Sequence, residues 1–259
     1  MYQYNLSFVG AGRVAGALCR EMSDAGFNVE VIVSQDEKNG RSLADSCNAS
    51  WSSEPVFPQS TDILIVAVPD HRLKEVLDNI VIRPDALTVH TAGSAGLDVF
   101  PEKIRRKGIF YPLQTFSKGR KVSFKDLPFF IESSDKQSSE ILKELAESIG
   151  GKVYFTDTDH RRMLHLAAVF VCNFTNHILN AGKQVAEKAG FPFEILEPLL
   201  KETVSKAIDT GPENSQTGPA VRNDQNTIEK HLELLTFSPE LKRIYSDLTR
   251  SIINYHNKL

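Results

Sequence analysis

Cysteine, methionine and tryptophan are scarce in this chain: its 259 residues hold three, three and one of them. Cys19, Cys47 and Cys172 are too few and too scattered for a disulfide framework, and no CxxC pair marks a metal site. A reducing compartment suits them. Long apolar runs are missing as well. The purest, around Leu166 to Cys172, falls far short of the roughly 20 residues that span a bilayer. The opening Met1-Tyr2-Gln3-Tyr4-Asn5 lacks the basic start and apolar stretch of a signal peptide. Nor is there much excess charge: 30 Lys and Arg against 33 Asp and Glu leave a formal −3. That balance gives no electrostatic case for binding nucleic acid or an anionic membrane. Repeats and low-complexity tracts are absent. What is present, 41% hydrophobic and 24% charged residues, is ordinary globular composition. The length favours two domains. A soluble cytoplasmic protein is expected.

The first 116 residues alternate short apolar runs with helix-like segments, the rhythm of βαβ units around a parallel sheet. Strands are predicted at 5–9, 28–33, 62–68, 86–91 and 108–111. Several are rich in Val and Ile without alternation, as expected of strands covered on both faces. Two more are predicted at 127–132 and 152–155, with helices at 13–25 and 136–149. After Asp157 helical periodicity takes over. A single helix of about 30 residues is predicted over 159–188, with Thr156 and Thr158 as caps. Further helices are predicted over 194–208, 225–235 and 239–257, with an irregular segment at 209–224. The boundary falls near residue 157. A Rossmann-type, doubly wound, mostly parallel α/β domain (1–156) precedes an all-helical domain (157–259).

Gly10-Ala11-Gly12-Arg13-Val14-Ala15-Gly16 follows the first strand and opens the first helix. In this GxGxxA pattern Gly10 allows the tight turn and Gly12 lets a pyrophosphate approach the backbone, while Ala15 lets the helix pack on the sheet. The helix start, including Arg13 and Val14, offers unpaired N–H groups and a positive dipole end to phosphates. Glycines also serve ordinary turns, but strand–loop–helix followed by a second strand is the context of dinucleotide binding. The second strand ends at Ser34. Ser34 can bond a 2′-phosphate that Lys38 or Arg41 neutralises, which points to NADP. Glu30 or Asp36 could instead take the ribose hydroxyls of NAD. Ligands of open α/β sheets lie beyond the carboxyl ends of strands. That places Val68, Pro69 and Gly93 against the cofactor, and His90 and Ser94 nearby. A histidine at a strand end is more often held in place than catalytic.

Between Met163 and Phe174 the long helix is apolar nearly all round, the mark of a buried element. His165, Asn173, Asn176, His177, Asn180, Lys183 and Gln184 share one sector of it. Such a stripe lines a cleft or forms a hydrogen-bond network at a dimer interface. Lining a cleft, His165 could protonate a carbonyl oxygen and Asn173 could orient it. Arg222, in the loop from Thr217 to Asp224, could grip a substrate carboxylate or fix the loop by a salt bridge. Asp224 suits a helix cap. Asp157, Asp159, His160 and His165 match no common metal spacing, so no metal is expected. The runs Lys103, Arg105, Arg106, Lys107 and Lys118, Arg120, Lys121 are taken as solvated, and Cys172 as inert packing.

The glycine loop, Ala67-Val68-Pro69, His90-Thr91-Ala92-Gly93-Ser94 and Tyr111-Pro112-Leu113-Gln114-Thr115-Phe116 together resemble a family of NADP oxidoreductases. Its second, helical domain, of unknown function, is matched by His165 to Asn173 and by Thr217 to Asp224. The resemblance spans nearly the whole chain. The family often has His where Tyr111 stands and Gly where Asn223 stands, so no acid–base role is expected of position 111. More distantly the chain is similar to pyrroline-carboxylate reductase and 6-phosphogluconate-type dehydrogenases. In those enzymes a helical domain dimerises and helps build the substrate cleft. The resemblance implies an NADP-dependent homodimer that reduces a small carbonyl or imine compound, with 2-keto acids such as ketopantoate among the candidates. An NADP-binding sensor or interaction protein without turnover is the alternative.

Overall fold

The computed structural model describes residues 4–117 and 119–256. Met1, Tyr2, Gln3, Lys118 and the predicted helix end at Asn257 lie outside the described residues. The chain divides into two compact units, residues 1–173 and 174–259.

In the first unit, β1 (Asn5–Val9) runs through the glycine loop into α1 (Arg13–Asp24). There follow β2 (Asn28–Val33), α2 (Glu37–Ser46), β3 (Ser50–Ser52), β4 (Ile63–Val66), α3 (Asp70–Asn79) and β5 (Leu87–His90). Next come β6 (Lys107–Pro112), β7 (Pro128–Ser133), α4 (Lys136–Ser148), β8 (Lys152–Phe155) and α5 (Thr158–Ala168). The strands form one sheet in the order β3-β2-β1-β4-β5-β6-β7-β8. Of its neighbouring pairs, β6 with β7 is antiparallel and the rest are parallel. The order reverses direction between β1 and β4, so the carboxyl ends of these two strands diverge and open a crevice. This is the Rossmann-type sheet expected. The three-residue β3 was not foreseen, because Ser50-Trp51-Ser52 carries no apolar run to signal a strand.

Strand parity explains the two cores. Leu6, Phe8, Ile63 and Ile65 face one side of the sheet, where Leu18, Met22, Leu142 and Leu145 cover them. Val9, Leu64 and Val66 face the other, beneath Leu73 and Leu77. Central strands covered on both faces must be apolar at every position, which is why Ile63-Leu64-Ile65-Val66 does not alternate.

Helical backbone runs from Thr158 to Lys188, but it is not one regular helix. Val169–Phe174 is a π-helical turn between α5 and α6 (Thr175–Lys188). Its wider i→i+5 bonding shifts the angular phase of everything after Ala168, so the single polar stripe drawn at regular helical spacing does not hold. Asp157 caps α5, accepting from the His160 N–H at 2.9 Å, and Thr158 bonds Glu132 instead. The expectation of a buried helix fails too: Met163, Phe170 and Val171 are 67, 60 and 74% exposed.

All regular secondary structure among the described residues of the second unit is helical: α6, α7 (Glu197–Thr210), α8 (Pro212–Ser215), α9 (Gln225–Leu234) and α10 (Pro239–His256), with residues 216–224 an irregular loop. Asp224 caps α9 by accepting from the Thr227 N–H at 3.1 Å. Beside it Asn223 holds φ +51°, a left-handed conformation that a short polar side chain tolerates. Among the described residues, no helix is long and apolar enough to cross a membrane.

Candidate active site

The glycine loop meets its geometric demands. Gly10 has φ +105°, and a Cβ there would stand 2.3 Å from the carbonyl oxygen of Ala67, so no other residue fits. Gly12 precedes α1 in extended conformation, with no side chain capping the helix and no acidic residue in its first turn. A Cβ on Gly12 would meet nothing within 4 Å, which leaves open space beside the free N–H groups. Ala15 is completely buried beneath them. A helix start with unmet donors and no competing carboxylate is a seat for an anion.

Several hollows border this loop within the first unit. One, of about 540 Å³, is lined by Gly10, Gly12, Ser34, Asp36, Val68, Pro69 and Arg72. Both carboxylates that could have received ribose hydroxyls are already engaged. Glu30 accepts from Ser60 and Thr61 at 2.5 and 2.7 Å. Asp36 caps α2 through the Asn39 N–H, which holds its carboxyl below the usual range. Arg41, expected to meet a phosphate, is instead paired with Glu37 and lies 4.4 Å over the Trp51 ring. The cation at this wall is Arg72, paired with Glu75 at 3.1 Å.

The second hollow, about 900 Å³, brings together Gly12, Arg13, Val14, Val68, Pro69, Asp70, Tyr111, His165 and Asn173. At its wall the Tyr111 hydroxyl and His165 Nδ1 share a hydrogen bond of 3.0 Å, the rings meeting edge to face. Gly93 backs the pair. A Cβ there would stand 2.8 Å from both His165 Nδ1 and Tyr111 Cζ, so only glycine lets the dyad form. Burial, and then the nearby Asp70 carboxylate, push the Tyr111 phenol above its ordinary pKa. It therefore stays protonated at neutral pH and has a proton to give. Position 111, set aside on sequence, thus carries a donor. The missing signal was spatial, since 54 residues separate Tyr111 from His165.

α5 is held in place by its neighbours. Arg161 is fully buried, pairs with Glu132 of β7, and donates to the Ala95 carbonyl at 2.5 Å. Arg162 Nε donates to the Ser94 carbonyl at 2.8 Å, and the Ser94 hydroxyl donates to Asp70. Two consecutive arginines thereby fix the loop after β5 that carries Gly93. His90 is no catalyst. It is completely buried and stacked on Phe100, and its Nδ1 accepts from the Ala92 N–H at 3.2 Å. That bond places its proton on Nε2, toward the Gly96 carbonyl at 3.5 Å. Burial pulls its pKa down from 6.5 to about 4, so it is neutral.

Of the remaining predicted residues, Cys172 is half-buried on the wall of the larger hollow rather than packed away. Arg222 is exposed in the second unit and forms no ion pair among the described residues. The neighbouring Asp224 carboxyl is held below its ordinary pKa chiefly by the Thr227 hydroxyl and N–H, with Arg222 a lesser influence. Arg106 is not simply solvated: it donates to Asp85 and Ser138. Arg120 and Lys121 join Arg13 and Arg20 around a third hollow of about 500 Å³.

Residues 5–92 match the family described as NADP oxidoreductase, coenzyme F420-dependent, and residues 127–252 match a domain of unknown function, DUF2520. A Bacteroides fragilis protein provisionally described as an NADP oxidoreductase is 38% identical. The match covers 97% of this chain and 98% of that one, at a TM-score of 0.90. An imine reductase from a Pseudomonas species shares the fold at 14% identity, 99 and 93% coverage and a TM-score of 0.69. A pyrroline-5-carboxylate reductase from Coxiella burnetii does so at 16% identity, 99 and 98% coverage and a TM-score of 0.59. No protein of curated function is matched. With its glycine loop, its mostly parallel sheet and this near full-length likeness, the chain belongs to the NADP oxidoreductase family that joins a Rossmann-type domain to a DUF2520 domain.

Proposed function

We propose that the chain reduces a small carbonyl or imine compound with NADPH, 2-keto acids such as ketopantoate included, and that the Tyr111–His165 pair supplies the proton. Such a reduction places hydride on carbon and a proton on oxygen or nitrogen. When bound, the dinucleotide supplies the hydride. Gly10, Gly12, Arg13, Val14 and Ala15 would seat its diphosphate, Ser34 its adenosine end, and Val68, Pro69 and Gly93 the wall beside its reactive ring. The open space over Gly12 and the unmet N–H groups of α1 support that seat. NADP is favoured over NAD by the likeness to the Bacteroides fragilis protein described as an NADP oxidoreductase, since Glu30, Asp36, Arg41 and the Ser34 hydroxyl all have partners within the chain.

The observation that carries the reading is the 3.0 Å bond between Tyr111 and His165 on the wall shared with Gly12 and Arg13. His165 gives a proton to the substrate heteroatom, the Tyr111 hydroxyl replaces it through Nδ1, and water entering the hollow returns a proton to the Tyr111 oxygen. Asn173, on the same wall, orients the heteroatom with its amide. Function divides at residue 157, with cofactor binding before it and substrate binding and pairing of two copies after it. Exposed Leu199, Ile208 and Leu234, at 65, 78 and 72%, support a homodimer.

NADPH oxidation over a panel of cyclic imines and 2-keto acids tests this. Turnover is expected, with His165→Ala lowering kcat by about 10²–10⁴ and Tyr111→Phe by less, at unchanged NADPH affinity. Tight NADPH binding with no turnover on any compound would make the chain a cofactor sensor instead.

A further inference from the structure

Two thiols that looked unrelated along the chain meet in the first unit. Cys19, midway along α1, and Cys47, at the C-terminal end of α2, bring their Sγ atoms to 2.9 Å. Both are buried, at 0 and 3% exposure, in the core cluster that packs these helices on the sheet. Alanine or valine would fill such positions equally well, so packing alone does not call for two facing sulfurs. A disulfide needs about 2.05 Å, which leaves less than about 1 Å to close.

We propose that Cys19 and Cys47 are a modification site, a dithiol that a small hydroperoxide converts to a disulfide stapling α1 to α2. The two sulfurs are unequal. The Cys19 thiol donates to Cys47 Sγ and draws its pKa down, while Cys19 itself is pushed up. Cys47 is therefore the nucleophile. Its thiolate attacks one peroxide oxygen, the O–O bond breaks, and hydroxide leaves to become water by taking a proton. The resulting Cys47 sulfenic acid is attacked by Cys19 sulfur, which gives up its proton. The S–S bond forms, the S–O bond breaks, and the hydroxyl leaves as a second water. Two thiols and one hydrogen peroxide thus give one disulfide and two waters, and a small dithiol reverses the change. Because both sulfurs are buried, oxidation proceeds through local opening and is slow. The bridge closes a loop of 28 residues between the helix that begins at the diphosphate seat and the helix that begins beside Ser34.

The full-length protein, treated natively with hydrogen peroxide, alkylated and digested, provides the test. Expected are a linked pair of peptides carrying Cys19 and Cys47, lacking two hydrogens, and a rise in thermal midpoint of roughly 5–10 °C that dithiothreitol reverses. Cys47→Ala abolishes both. Should that variant fail to fold, mapping of the natural sequence decides alone. Recovery of Cys19 and Cys47 as alkylated thiols while Cys172 is oxidised would overturn the proposal. So would sulfinic acids on the separate cysteines, or a link that leaves the midpoint unmoved. None of these outcomes depends on turnover.

Discussion

The two compact units handle apolar surface in opposite ways. The first buries Leu6, Phe8, Ile32, Leu64, Phe110 and Phe129 completely or almost so between sheet and helices. In the second, the buried apolar residues among those described are Ala220, Ile228, Leu235 and Leu241, none below 6% exposure. Leu199, Ile208 and Leu234 there are mostly exposed. A twisted sheet with helices on both faces closes a core by itself. Amphipathic helices without a sheet leave apolar stripes that need another surface, and a second copy of the chain is the occupant proposed above.

The contrast can be pressed at several points. The largest effect is expected at Gly93, where the first unit is packed tightly around chemistry. Gly93→Ala forces a methyl into the space of the dyad, and kcat should fall by about 10²–10³ with the fold retained. A fall in stability with normal turnover would mean that Gly93 serves packing rather than the dyad.

Acid should find the first unit next. Unfolded His90 takes up a proton near pH 6.5, while the folded, buried ring does so only near pH 4. The stability that neutral His90 contributes is complete above about pH 6.5 and is lost as pH falls toward 4. Its size is on the order of 3 kcal/mol. Denaturant midpoints from pH 7 to 4 measure this loss, and His90→Gln should flatten the curve. A slope unchanged by the substitution would place the acid sensitivity elsewhere.

The smallest effect is expected in the second unit. Ile208→Glu puts a charge on its most exposed large aliphatic side chain. If that surface is covered by a second copy, self-association measured by sedimentation should weaken about tenfold or more. Unaltered association would remove Ile208 from any interface.

Much of the first unit was legible because its signals are local. The loop Gly10–Gly16 and the run Ile63–Val66 declare themselves by residue type, and both stand where expected. The long helix was legible in extent but not in detail. Nothing in Val169-Phe170-Val171-Cys172-Asn173-Phe174 announces a π-turn, and that turn rotates every later residue. Exposure was misjudged on the same segment, since an apolar sequence reports a need for cover without saying which chain provides it. Partnerships across long separations were invisible: Tyr111 with His165, Cys19 with Cys47, and Arg161 with Glu132 exist only once the sheet is assembled. Ser34 was read correctly as the residue at the end of β2, and the engagement of Glu30 by Ser60 and Thr61 could not be seen from spacing. The Asp36 cap and the Glu37–Arg41 pair, by contrast, are local signals, three and four residues apart, that were not used.

The seating of a diphosphate on the first turn of α1 is tested most directly by calorimetric titration of NADPH into the natural protein and Gly12→Asp. A Cβ at position 12 meets nothing within 4 Å, so the substitution should leave the thermal midpoint nearly unchanged. Its carboxylate would stand where the phosphates sit, and affinity should fall by about 100-fold or more. Equal heats and equal affinities for the two proteins, or no heat from either at millimolar nucleotide, would contradict a cofactor site at this loop.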